Sequence, residues 1–103
     1  MTFILSTSAE IQSALGTRLR AQRLAQALTQ HELAQMAGLS LGALRKLEHD
    51  GQCSLATLVR VVQALGLVGE LDGLFIPKRQ SIAQMEQAEA LNQRQRAPRR
   101  KTP

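Results

Sequence analysis

Apolar residues recur at helical spacing through the first two thirds of the chain. Leucine or isoleucine returns about every fourth position from Ile11 to Leu28, after the capping-box pattern Thr7–Glu10. A helix satisfies its free N-terminal N–H groups with such a box, so the pattern marks where a helix begins. We therefore predict a first helix over about residues 9–27.

Two short helices are predicted next, on either side of a tight turn. A second capping box begins at Thr29, and Gly38 provides the left-handed residue that ends a helix over 30–37. Ser40 then caps a helix over 41–49. The positions predicted to face inward on these two helices are Leu33, Ala34, Ala37, Leu44 and Leu47. Two short helices joined by a glycine-containing turn are typical of a helix-turn-helix.

The pattern continues less clearly after the third helix. Ser54 and Gly66 bound an apolar segment that predicts a fourth helix over about 55–65. Residues 67–76 are apolar at helical spacing, but the glycines within and before them weaken a helix by roughly 1 kcal/mol each. We predict a fifth helix there, and a strand is the alternative.

Charge divides the chain near Pro77. The net charge is +5, yet six basic and six acidic residues precede Pro77, while seven basic and two acidic residues follow it. We expect one domain over 1–76 and a basic, Gln-rich tail over 77–103 that is largely disordered, with a weak amphipathic helix left open for 79–93. The tail either keeps the protein in solution or tethers it to DNA through counterion release.

The composition argues against several classes of protein. No catalytic set, phosphate-binding loop or metal-ligand spacing occurs, so we expect neither an enzyme nor a cofactor. Cys53 is the single cysteine, which is consistent with a reducing cytoplasm. No segment has the length and hydrophobicity of a signal peptide or membrane span. The scarcity of aromatic residues favours duplex over single-stranded nucleic acid as a partner.

The run from Leu28 to Ser40, LTQHELAQMAGLS, followed by LRKLE at 44–48, resembles the phage lambda repressor/Cro family of helix-turn-helix regulators. The resemblance covers about residues 11–70. It implies an all-α, five-helix bundle that binds operator DNA in the major groove as a homodimer.

Site residues follow from the resemblance position by position. It implies that Thr29 and Gln30 lie at a backbone phosphate, and that Arg23 and Glu48 form a structural ion pair. It also implies a DNA-facing set on the third helix: Ser40, Leu41, Gly42, Arg45 and Lys46. Leu41 and Gly42 depart from the family, which often has Gln or Ser at these positions, so polar readout shifts to the other three residues.

We therefore expect a dimeric repressor in the cytoplasm, with 67–76 as its dimer surface. The chain also resembles HipB-like antitoxins, which implies a HipA-type kinase toxin as a possible second partner and autoregulation of an operon; an ordinary stand-alone regulator is the equal alternative. A different class remains open: a helix-turn-helix adaptor that acts through protein–protein contacts, as the apolar Leu41 and Gly42 would allow.

Overall fold

The computed structural model describes residues 2–78 and 82–96, and these residues form helices and turns without a strand. The predicted all-α fold class is confirmed. Contacts divide the chain into two units, Met1–Asp72 and Gly73–Pro103, each described by itself below. The helices are α1 (Ser8–Ala25), α2 (Gln30–Ala37), α3 (Leu41–Asp50), α4 (Leu55–Ala64) and α5 (Ile82–Arg96), with a 3₁₀ turn at Val68–Leu71.

Each of the first four helices begins at a hydroxyl cap. The side-chain oxygens of these caps accept a hydrogen bond from the backbone N–H three residues later, and the caps are Thr7, Thr29, Ser40 and Ser54. The first two caps are complete capping boxes, in which Glu10 and Glu32 accept in return from the cap backbone N–H at 2.9 and 2.8 Å. Local sequence therefore sets the starts of these helices.

The same helices end at residues in the left-handed conformation. Gly38, Gly51 and Gly66 have φ angles of 70°, 75° and 74°. Helix α1 uses Ala27 instead, at φ 58°, and the N–H of Leu28 donates to the carbonyl of Arg23 at 3.1 Å. This hydrogen bond closes a Schellman motif, so α1 ends at Ala25, two residues before the expected end.

The core lies among α2, α3 and α4. Its fully buried side chains are Leu33, Leu44, Leu47 and Val61. Ala34, Ala37 and Leu65 complete the cluster, and Leu19, Leu28 and Leu39 pack against it from the sides. The five positions predicted to face inward on α2 and α3 are all buried, which confirms that prediction.

Helix α1 crosses α3 at backbone contact. A Cβ on Gly16 would collide with the carbonyl oxygen of Leu47, and a Cβ on Gly51 would collide with the backbone of Gln12. Glycine is required at both positions because no side chain fits between the backbone of α1 and that of α3 and its C-terminal end. This close approach brings the side chains of α1 next to the start of α2 and the outer face of α3.

Residues 67–76 are neither the predicted α-helix nor a strand. The structure has a 3₁₀ turn over Val68–Leu71, followed by turn residues to Phe75, which has a φ of 60°. The apolar spacing was helical, but the left-handed Gly66 ends α4, and Gly69 and Gly73 interrupt the next seven residues. A short 3₁₀ piece is what such a segment can support.

In the second unit, α5 lies at Ile82–Arg96, where the spacing of apolar residues left a weak helix open. This stretch is helical, whereas we expected the tail as a whole to be largely disordered. Its side chains from Met85 to Arg94 are exposed. Residues 97–103, also expected to be disordered, lie outside the described residues.

Candidate nucleic-acid interface

Helices α2 and α3 form a two-helix unit around a three-residue turn. Gly38 ends α2, and the N–H of Leu39 donates to the carbonyl of Ala34 at 2.8 Å. The Leu39 side chain packs against the core, and Ser40 begins α3. This half-buried contact of Leu39 fixes the angle between the helices and leaves the outer face of α3 free for a ligand.

The N-terminus of α2 is open to solvent. Thr29 is exposed and Gln30 is half-buried. The Thr29 hydroxyl caps the helix by accepting a hydrogen bond from the backbone N–H of Glu32. Hydrogen bonds with Thr29 also lower the pKa of the Glu32 carboxyl below its ordinary value of 4.5. The free N–H groups at such an end suit an anion such as a phosphate.

The other residues predicted to contact DNA lie along α3. Ser40, Gly42, Arg45 and Lys46 are exposed, and Leu41 is half-buried. A Cβ placed on Gly42 would have no neighbour within 4 Å among the described residues. The outer face of α3 therefore begins with the polar Ser40 and ends with the charged Arg45 and Lys46. The apolar Leu41 and Gly42 lie between them.

Beneath this face lies a buried ion pair between α1 and α3. Arg23 Nε is 2.7 Å from Glu48 Oε2, and Nη2 is 3.0 Å from Oε1, so the contact is bidentate. Arg23 also donates through Nη1 to the carbonyl of Leu28 at 2.8 Å. Both residues are about 95 % buried. The structure thus brings together the two residues that the family resemblance pairs.

Gln30 connects this ion pair to the surface, a link that the sequence analysis missed. Its Nε2 donates to Glu48 Oε1 at 3.1 Å, and its Oε1 accepts from Arg45 Nε at 3.3 Å. The amide therefore holds Arg45 towards the start of α2. Spacing gave part of the signal, because residues three apart share a helix face, as Arg45 and Glu48 do.

The two basic residues of α3 lie on different sides of the helix. Arg45 lines an open notch of about 370 Å³ together with Arg20, Gln30, Glu48 and His49. Lys46 lines a separate hollow of about 280 Å³, whose other residues are Ala43, Gln52, Cys53 and Thr57. The two recesses share no residue, since neighbouring positions on a helix are rotated by about 100°.

Comparison with known proteins identifies this arrangement. Residues 19–70 match the Helix-turn-helix family, a stretch that includes α2, α3, α4 and the last seven residues of α1. The chain belongs to this family, in its lambda repressor/Cro type. Among solved structures, the helix-turn-helix protein is similar to the clp gene regulator ClgR from Corynebacterium glutamicum. The two are 26 % identical, the match covers 86 % of this chain and 96 % of that chain, and the TM-score is 0.51. A search of curated proteins finds no match.

The one thiol of the chain is that of Cys53. Cys53 is exposed, and partial burial of its sulfur raises the pKa of the thiol, against a smaller opposite effect of a hydrogen bond with the backbone of Leu58. Among residues 2–78 and 82–96, no three His, Cys, Asp or Glu side chains are grouped as a metal would need. No helix in the same residues has the length and hydropathy to cross a bilayer.

Proposed function

We propose that this helix-turn-helix protein is a transcriptional repressor that binds a specific operator in duplex DNA as a homodimer. In this proposal α3 enters the major groove and the start of α2 meets the backbone. The observation that carries it is the outer face of α3, exposed at Ser40, Gly42, Arg45 and Lys46 above a buried support. A solved protein of similar fold is named as a gene regulator, which supports a regulatory role.

Each predicted site residue would make the DNA contact that its side chain allows. Thr29 and Gln30 would meet a phosphate at the helix start. Ser40 and Lys46 offer hydrogen-bond donors to base edges, and Leu41 suits only a thymine methyl. Gly42 has no side chain and lets the helix approach the bases closely.

Exposed apolar residues support dimer formation through the segment predicted for it. Three consecutive apolar residues at its end, Leu74, Phe75 and Ile76, are 49, 91 and 60 % exposed. Apolar side chains grouped in this way mark a surface that binds another protein. A dimer would place its two α3 helices about 34–36 Å apart on a palindromic site.

A finer form of the proposal is an antitoxin of HipB type, which would repress its own operon in the cytoplasm and bind a HipA-type kinase toxin. Helix α5 supports a second protein partner, because its side chains from Met85 to Arg94 are exposed and a 15-residue helix alone is marginally stable in water. Co-purification with the product of a neighbouring kinase gene would test this form.

The first experiment compares the affinity of the full chain for its own upstream DNA and for scrambled duplex at two salt concentrations. We expect tight binding to the upstream DNA only, lost in the Arg45→Ala/Lys46→Ala variant. Arg60→Ala, which removes a charge from the exposed side of α4 outside the helix-turn-helix, is the matched control. Equal affinity for both duplexes, unchanged by the double variant, would refute the repressor and favour the adaptor, for which the apolar Leu41 and Gly42 are the argument.

A further inference from the structure

We propose that Arg20 and Arg45 together hold one backbone phosphate of the bound DNA, in the notch that they line with Gln30, Glu48 and His49. In the same proposal Arg45 anchors the backbone, and Lys46 is the basic residue of α3 that reads base edges. Both statements rest on the proposed function, since they assume that this face of the protein binds duplex DNA.

The notch joins cations from two helices that are far apart in sequence. Arg20 comes from α1, which the close crossing at Gly16 holds against α3, and Arg45 and His49 come from α3. Both arginines are exposed, and among the described residues neither has a carboxylate within 4.0 Å. Two guanidinium groups without a counter-charge, beside the N-terminus of α2, form a strong site for a phosphate.

Glu48 also lines the notch, but its charge is already compensated. Both of its oxygens accept hydrogen bonds from Arg23, at 2.7 and 3.0 Å, and Oε1 accepts a further bond from Gln30 at 3.1 Å. The residue is 4 % exposed. A phosphate in the notch would therefore meet the positive charges of Arg20 and Arg45 and a neutralised carboxylate.

Gln30 gives Arg45 its direction. The hydrogen bond from Arg45 Nε to Gln30 Oε1 turns the guanidinium towards the start of α2, and its two terminal nitrogens have no hydrogen-bond partner within residues 2–78 and 82–96. An arginine used in this way donates a fork to two phosphate oxygens. Lys46 has no such hydrogen bond among the described residues. It lines a different recess of α3, from which its ammonium group can donate to base edges in the major groove.

The proposal predicts different signatures for the variants of these residues. A phosphate contact contributes equally to all sequences and changes the salt dependence, whereas a base contact changes the preference between sequences. We expect Arg20→Ala and Arg45→Ala to weaken binding to operator and scrambled duplex by the same factor. The double variant should lower the slope of log affinity against log salt by about 0.9, the value for one phosphate. Lys46→Ala should instead reduce the ratio between the two affinities, by about 10-fold for one lost base contact.

Arg18→Ala is the matched control, because it removes the same charge from the same helix two residues earlier, on the other side of α1. It should leave the salt slope unchanged. Duplexes with one neutral methylphosphonate, placed at each backbone position in turn, then locate the contact. One position should weaken the wild type and have no further effect on the Arg20→Ala/Arg45→Ala variant, whose helicity is checked by circular dichroism.

Two results would overturn the proposal: Arg20→Ala behaving like Arg18→Ala, or Arg45→Ala weakening the operator alone. A wild-type protein that binds operator and scrambled duplex equally would refute sequence-specific repression and the base reading by Lys46, but not the phosphate in the notch, since phosphates are common to both duplexes. A protein that binds no duplex would refute both.

Discussion

The buried pair Arg23–Glu48 gives the sharpest prediction for stability. The Arg23 guanidinium donates three hydrogen bonds, two to Glu48 and one to the carbonyl of Leu28. Glu48→Gln keeps the shape but removes the negative charge and at least one acceptor, and Arg23 stays 5 % exposed with its own charge. Breaking a buried pair from one side costs about 3–5 kcal/mol, and because the amide keeps one acceptor we expect about 3 kcal/mol.

That loss is a large part of the roughly 5–15 kcal/mol by which small domains are stable. With a slope of about 1–3 kcal/mol per molar urea, the unfolding midpoint should fall by roughly 1–3 M. The chain has no Trp or Tyr, so unfolding is followed by far-ultraviolet circular dichroism instead of intrinsic fluorescence.

A double-mutant cycle separates the pair from its surroundings. Arg23→Met/Glu48→Leu removes both charges and leaves apolar side chains in their place, so it should be more stable than Glu48→Leu alone. The reasoning is refuted if Glu48→Gln unfolds within about 0.5 kcal/mol of the wild type, the range of ordinary surface changes. Strict additivity in the cycle would equally refute it, because it would mean that the two side chains do not interact.

Three further predictions concern the backbone and the caps. Ala27→Gly should raise the free energy of unfolding by about 1 kcal/mol, because Ala27 has a φ of 58°, while Ala25→Gly inside α1 should lower it; a thermal midpoint that falls for Ala27→Gly contradicts the strain. Gly16→Ala should cost about 1–3 kcal/mol in urea unfolding because its methyl group meets the Leu47 carbonyl, and equal stability of Gly16→Ala and Gly42→Ala, which has open space, would be evidence against the close crossing. The lowered pKa of Glu32 means that its ionised form stabilises the fold above its ordinary value of 4.5, and that this contribution is lost as the pH falls through the lowered value. Glu32→Gln should therefore lose less stability on acidification than the wild type, and parallel pH curves would argue against this cap.

The sequence predicted what local chemistry determines. Thr29 and Ser40 mark helix starts by hydrogen bonds within four residues, and Gly38 and Gly51 mark helix ends by their left-handed backbone. The inward positions of α2 and α3 followed from helical spacing alone.

Contacts between helices were beyond the same reasoning. From the sequence, Gly16 only weakens a helix. The structure shows that the backbone of α3 packs directly against it. The hydrogen bonds of Gln30 to Glu48 and Arg45 join residues 18 and 15 positions apart, and the Arg20 side of the notch depends on the crossing of α1 over α3. At 67–76, helical spacing competed with glycines, and the outcome was a single 3₁₀ turn.

The open space at Gly42 has a consequence for how this protein can evolve. Most new side chains that change what a protein binds also destabilise it, and selection then removes them. At Gly42 an added Cβ meets no neighbour among the described residues, so the first atom of a new side chain is accommodated without a clash. Under the proposed function, a single mutation at Gly42 changes what α3 presents to DNA without a steric penalty at its Cβ, so this position gives a lineage a direct route to new target sites.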